Sequence, residues 1–326
     1  MSMIQVRTVN LQEIALALNS EAKPSSSYRR IQRFFVDFFF RQEDVLGFVL
    51  AQLPSRKELV LCLDRTNWKF GIININILAV GVVYKGIAFP VLWLMLDKQG
   101  NSNQAEREKL MRILLKHIPV CWIKALVADR EFIGKDWIAF LHAYKIPYHI
   151  RIRKNILYEH EPQSLAIYTL FAHLPYGQIL TLHNSYTLFA QSLRVTGIRL
   201  KGDKEDEYLI LISNTNPEHA LECYRHRWEI ESFFKAIKSA GFDFEATHLR
   251  HAERIDTLLS LVTLALVWCH KTGEYLHRFK PIPTKNHGYK ALSFFRHGLD
   301  FLRSILFHLQ RRLDDLHLAF SLLSCT

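Results

Sequence analysis

The stretch YRHRWEIESFFKAIK, residues 224–238, holds a carboxylate, an aromatic ring and several cations at helical spacing. No proline or glycine interrupts it. It continues from a cap at Asn216 and Pro217, so one unbroken helix is expected. At about 100° per residue, Tyr224, Arg227, Glu231, Lys235 and Lys238 fall within roughly 80° of one another. Trp228 borders that stripe, while Glu229 points about 140° from Tyr224 and leaves the face. One carboxylate among an aromatic, an arginine and two lysines suits a site that handles both a metal ion and a polyanion. A phosphodiester backbone with divalent ions answers that description. The plainer alternative is a solvated surface in which Glu231 and Lys235 form an i,i+4 pair.

Further acids stand where apolar runs end. LVLCLD ends on Asp64 and WIKALVAD ends on Asp129, each read as a buried strand with an acid at its exit. Alone, either acid is equally well a turn former or a helix cap. The elements around them decide. Residues 74–83 and 87–95 are β-branched and apolar, joined by the turn Tyr84-Lys85-Gly86, so residues 59–95 predict an antiparallel meander. A helix over 103–117, the strand ending on Asp129, a helix over 135–144 and a strand over 148–153 complete the order β-β-β-α-β-α-β. That is the order of a ribonuclease-H-like core, an α/β fold with a mixed sheet. In such a sheet the strands of Asp64 and Asp129 lie side by side.

Between Asp129 and Glu231 the chain is longer than this core needs. Residues 156–214 alternate apolar and turn residues and predict a β-rich insertion. The expected organisation is a helical N-terminal region over 1–55, the catalytic domain with its insertion over 56–250, and a helical C-terminal region over 251–326. In the first region, helices over 11–19 and from a Ser25–Ser27 cap through residue 40 form either a helix-turn-helix or a hairpin packed on the next domain. A long apolar helix over 252–276 is expected to pack behind the helix of Glu231, and two helices follow a break at 281–287.

Composition agrees with a polyanionic partner. The 326 residues carry a net charge of +11, and 49% are apolar, enough for a full core. Cys62, Cys121, Cys223, Cys269 and Cys325 are scattered without a CxxC pair, which argues for reduced thiols and against a zinc site. The N-terminus does not read as a signal peptide. The longest greasy run, residues 257–269, is too short for a bilayer, so a cytoplasmic protein without membrane contact is expected.

Asp64 in LDRTNW, Asp129 in VADREF and residues 224–238 together resemble a bacterial DDE transposase of the group named after insertion sequence 4. The group's signature is Y-x2-R-x3-E-x6-K, which Tyr224, Arg227, Glu231 and Lys238 match at every spacing. The resemblance implies that Asp64, Asp129 and Glu231 bind two Mg²⁺ ions, with Mn²⁺ as a substitute, and catalyse the reaction. It implies cleavage at the ends of an element, joining of the freed 3′-hydroxyl to target DNA, and a hairpin step between them. Tyr224, Arg227 and Lys238 would hold phosphates beside the scissile bond, with Lys235 a lesser candidate. Trp228 would stack on a displaced base or pack as core. The partners implied are double-stranded DNA, as terminal repeats and as target, and a second copy of the chain.

Other neighbours stay open at this level. Glu131 either reaches a metal or lies on the surface, and Arg65, Thr66 and Asn67 either position DNA or close a turn. Tyr168, Tyr176 and Tyr186 are equal candidates for receiving a flipped base. About sixty residues precede Asp64, fewer than relatives often carry before this point. Two other functions share part of the pattern. A ribonuclease-H-like nuclease or junction resolvase needs the acids and metals but little of the Tyr-Arg-Lys face, and an inactive DNA-binding derivative needs only the basic surface.

Overall fold

The computed structural model describes residues 1–18, 21–70, 73–160, 162–203, 205–286 and 288–324. Asn19, His287 and Cys325, which enter the sequence reading, lie outside them. The chain opens with helices α1 (Ser2–Val6), α2 (Leu11–Leu16), α3 (Pro24–Asp37) and α4 (Gln42–Ala51). The sequence predicts only α2 and α3. α3 begins at Pro24 rather than at the serines, because a fixed φ and a missing N–H suit the first helical turn. It stops at Asp37, so Phe38 leaves the helix and stacks on Phe34 at 5.0 Å between centroids. α4 buries Val45, Leu46, Val49 and Leu50, a clear 3.6-residue pattern, against the sheet and a later helix.

The sheet follows the expected order. Strands β1 (Leu59–Phe70), β2 (Ile73–Tyr84) and β3 (Ile87–Met95) form the antiparallel meander. Lys85 and Gly86 both have positive φ, as a two-residue hairpin of the primed type requires. Pro90 is accommodated by a register shift at Val80 and Gly81, where its missing donor breaks no ladder. Next come α5 (Gln104–Leu114), β4 (Ile123–Ala128), α6 (Lys135–Ala143) and β5 (Tyr148–Ile152). Asn103 closes a reciprocal capping box with Glu106 and sets the start of α5.

The β-rich segment holds the small ladder β6 (Leu157–Tyr158) with β7 (Leu165–Ala166), then β8 (Ile179–Leu188), β9 (Gln191–Leu200) and β10 (Glu207–Ser213). Its last three strands do not stand apart. β10 pairs antiparallel with β5, so the described residues form one sheet of order β3-β2-β1-β4-β5-β10-β9-β8. This is a ribonuclease-H-like mixed sheet, β3-β2-β1-β4-β5, lengthened by three strands at one edge. β1, β4 and β5 run parallel and are buried, and Leu61, Leu63, Leu126, Val127 and Ile150 are closed to solvent.

Three corrections to the sequence reading bear on the site. β1 does not end at Asp64 but runs on to Phe70, because its hairpin with β2 continues pairing through that point. Arg65, Thr66 and Asn67 therefore lie in a strand and close no turn. The helix expected over 216–238 is a short 3₁₀ turn at Pro217–His219 followed by α7 (Ala220–Arg225) and α8 (Trp228–Ile237). Finally α9 (Ala252–Phe279) packs chiefly on α10 (Phe294–Phe307) and only marginally on α8, which lies instead over β3 and β1. α11 (Leu313–Ser321) ends the fold, held where the indole N–H of Trp268 donates to the Ala319 carbonyl at 2.7 Å.

Candidate active site

Parallel pairing sets the level of the acids. β1 and β4 match Leu63 to Ala128, and β4 and β5 match Ala128 to Ile150. The next residues along the three strands are Asp64, Asp129 and Arg151. On β1, partnership with β4 ends at Leu63, so Asp64 stands where that neighbour leaves the sheet although its own strand continues. Each aspartate accepts on Oδ1 from the N–H of the following residue at 2.7 Å, from Arg65 in one case and Arg130 in the other. The two carboxylates are thus oriented alike by their own backbone.

The third acid arrives on α8. Ile230, Phe233, Phe234 and Ile237 are buried at helical spacing and press α8 onto the sheet. Burial of each such side chain contributes about 1.5–3 kcal/mol. The junction before α8 is tightened: the N–H groups of His226, Arg227, Glu229 and Ile230 all reach carbonyls three residues back, at 2.9–3.3 Å. Glu229 caps the turn by accepting from or sharing a proton with His226 Nδ1 at 2.8 Å, which raises the His226 pKa. The Cys62 thiol of β1 donates to the His226 carbonyl at 3.2 Å. Glu229, off the predicted face, is therefore a brace for the junction.

The turn carries Arg227 inward. Its side chain is 7% exposed, with Nη2 2.6 Å from Glu231 Oε1 and Nη1 3.8 Å from Asp64 Oδ2. Arg227 thus brings Glu231 and Asp64 to one cation, and the surface pair of Glu231 with Lys235 is not formed among the described residues. The guanidinium also lies 4.5 Å from the centre of the Trp228 ring. Trp228 is 61% exposed, which rules out the core alternative for it. Tyr224 is buried beside Asp129 and Arg151. Its pKa is pushed up to about 12, by burial first and by the Asp129 charge second.

Several donors here are unsatisfied. The Tyr224 hydroxyl, the Arg227 Nε and the Arg151 Nε are buried and find no hydrogen-bond partner of good geometry among the described residues. Buried donors normally have partners. Donors converging beside acids in this way are suited to oxygens brought in by a ligand. The Asp64 pKa is pushed up to about 6, first by burial and then, against the Arg65 N–H and Arg227, by Glu131 and Glu231.

Other candidates lie further off. Lys238 ends α8, pairs with Glu245 at 2.8 Å and lies 5.2 Å from the ring centre of Trp68, a β1 residue on the same side of the strand as Asp64. Lys235 does not join this group; it is exposed and borders a separate groove with Ser232. Two residues outside the predicted set face the acids. Glu131 is half-buried, 3.4 Å from Arg65 Nε, and acts on Asp64, so its surface reading does not hold. Arg151 follows from register, a signal visible only once β4 and β5 are paired. Arg65 also donates to Asn67, Asn76 and Asn101, which makes it a hub beneath the site.

Among the described residues no three His, Cys, Asp or Glu side chains stand close enough to hold an ion as placed, and Arg227 lies between Asp64 and Glu231. The donor chemistry fits a hard divalent cation, since Asp64, Asp129 and Glu231 offer carboxylate oxygens.

The family of the transposase DDE domain matches residues 55–268 of the chain, from just before β1 into α9. The chain belongs to the DDE transposases. No curated protein matches it. DDE transposases bind DNA, cleave it and transfer its strands with divalent metal ions, and the row of Asp64, Asp129 and Arg151 lies inside the matched segment with α7 and α8. Among the described residues no helix is long and apolar enough to cross a membrane.

Proposed function

We propose that this DDE transposase moves an insertion sequence of the insertion sequence 4 group by cut-and-paste transposition. In this reading Asp64, Asp129 and Glu231 are its catalytic acids. The carrying observation is the common level of Asp64 and Asp129 on paired strands, with Arg227 tying Glu231 to Asp64. The acids would hold two Mg²⁺ ions, with Mn²⁺ as a substitute. An ion held by these carboxylates would supply Lewis acidity, lowering the pKa of an attacking oxygen and stabilising a leaving one.

The chain's own groups then position the DNA. Tyr224 and Arg227 offer unsatisfied donors to the oxygens of the scissile phosphate, and Arg151 joins them. Trp228, exposed and backed by Arg227, offers a face for a displaced base, and Lys238 and Lys235 hold backbone phosphates further along. Hydrolysis frees a 3′-hydroxyl at the element end, which attacks a target phosphate so that one P–O bond forms as another breaks. Two ends must be joined to one target, so the working unit is a homodimer on DNA.

The test is cleavage and strand transfer in Mg²⁺ on DNA ends flanking the gene, with Asp64→Asn, Asp129→Asn and Glu231→Gln beside wild type. Each variant is expected to lose about a thousandfold in rate, the equivalent of ~4 kcal/mol of charge stabilisation. Cleavage without joining would replace the transposase reading by that of a nuclease. Full activity in any of the three variants would remove that acid from the site.

A further inference from the structure

Arg227 stands between two of the acids that would hold an ion. The Arg65 N–H donates to Asp64 Oδ1 at 2.7 Å, so Oδ2 is the oxygen left to a ligand. That oxygen faces Arg227 Nη1 at 3.8 Å, while Nη2 lies 2.6 Å from Glu231 Oε1. One guanidinium thus takes up an oxygen of each acid. A guanidinium and a divalent ion compete for the same carboxylate oxygens, so both cannot hold them at once.

The contact is built so that it can open. At 3.8 Å the approach to Asp64 is longer than a hydrogen bond and is coulombic only. The Glu231 side chain is 41% exposed, so water screens the closer pair from one side. Arg227 Nε is buried and has no partner of good geometry among the described residues. The acids therefore satisfy only part of the five-donor fork. A phosphate accepting from Nε and one Nη together supplies the missing partner in the bidentate arrangement that guanidinium favours.

We propose that Arg227 is a latch that couples DNA to metal. In the free protein its guanidinium takes the cation position between Glu231 and Asp64 and holds ions off. A DNA phosphate draws it away and opens both oxygens. The proposal rests on the assignment of Asp64 and Glu231 as ligands of the ion. Coupling of this kind is reciprocal, so an ion at the acids also frees Arg227 for phosphate. The hydrolytic site is then assembled only on its substrate.

The experiment is a titration with Mn²⁺, its free ion read by electron paramagnetic resonance, first without DNA and then with a saturating duplex end from beside the gene. Arg227→Met is expected to bind Mn²⁺ about tenfold more tightly than wild type without DNA, a coupling of ordinary size. Arg151→Met removes a charge that acts on Tyr224 instead and should change the affinity less than about twofold. With the duplex present, wild type and Arg227→Met should converge to within about twofold, because the phosphate has already opened the latch. Arg227→Lys keeps the buried charge but holds one acid at a time, and should gain about threefold. It carries the test if the methionine variant does not fold. Equal gains in Arg227→Met and Arg151→Met would reduce the effect to a general field and overturn the latch. So would an unchanged affinity in both Arg227 variants, or a tenfold gap that persists on DNA. Asp64→Asn and Glu231→Gln separate the two readings. If both weaken Mn²⁺ binding while the Arg227 variants do not alter it, the latch fails and the acids stand. If neither weakens it, the assignment of the acids fails and the latch with it.

Discussion

Arg227 and Tyr224 each keep one buried polar atom for which the folded chain supplies no hydrogen bond of good geometry. Arg227 is buried with its Nε unsatisfied, and the Tyr224 hydroxyl is buried with no partner of good geometry. Leaving such a group unmade costs about 1–3 kcal/mol, so replacing it by an apolar group of the same shape is neutral or stabilising. Tyr224→Phe is therefore expected to raise the stability of the free protein by up to about 1 kcal/mol while weakening binding of a DNA end roughly tenfold. A melting curve and an end-binding titration on the same preparation check both halves. A variant that binds as wild type would make the hydroxyl a bystander. Arg227→Lys tests a different property. A lysine keeps the charge but cannot reach Glu231 Oε1 and Asp64 Oδ2 with separate nitrogens. Cleavage should fall about ten- to hundredfold, as expected for a group that orients ligands, with the fold intact.

The elements divide by how far their causes were local. The meander, α5, β4, α6 and β5 follow from apolar runs, turn residues and helical periodicity, and all were readable along the chain, although the cap that starts α5 was not read. Asp64 lies on β1, Asp129 directly follows β4 and Glu231 lies on α8, the second half of the helix that the sequence reads as unbroken. What was not readable depends on pairing between distant segments. β1 continues past Asp64 because β2 stays alongside it, and the 156–214 segment joins the main sheet because β10 finds the free edge of β5. The helix break at His226 is braced by Glu229 of α8 and by Cys62 of β1, a strand distant in sequence. The α9–α10 contact is a further case. A Cβ on Gly273 would come 1.9 Å from the Phe294 carbonyl oxygen, and one on Gly298 would come 1.8 Å from that of Cys269. Two glycines in unremarkable helical sequence thus let two backbones touch. Gly273→Ala and Gly298→Ala should each lower stability by roughly 2–3 kcal/mol, since backbone rather than a flexible side chain must move. Denaturant midpoints measure this, and a change below about 0.5 kcal/mol would show that the crossing relaxes freely.

Across the whole molecule, the ends of the chain close on each other and on the core. Arg7 of the α1 C-cap donates to the Ala240 carbonyl after α8, and Arg303 of α10 donates to the Gln5 carbonyl. The site's framework is thus tied to both helical regions, and a loss of core stability is felt throughout. Two buried histidines make that stability sensitive to acid. His149 of β5 bonds Ser213 of β10 at 2.8 Å, and its pKa falls from 6.5 to about 4, by burial first and then by His219 and Lys124. His270 of α9 falls to about 3. Folded, both are neutral; unfolded, both take up a proton below their ordinary pKa of 6.5. The unfolded state therefore binds more protons in this window, so stability is complete above pH 6.5 and is lost as pH falls toward the folded values. At ~1.4 kcal/mol per unit, His149 alone accounts for about 3 kcal/mol. Glu274, whose pKa is lowered by Lys85, Tyr84 and Lys271 against its burial, destabilises in the same direction at lower pH, so the difference between variants is the decisive quantity. The loss of urea stability between about pH 7.5 and about pH 4.5 should be smaller in His149→Gln than in wild type by about 3 kcal/mol. Parallel curves for the two proteins would mean that His149 gains a proton without leaving the sheet.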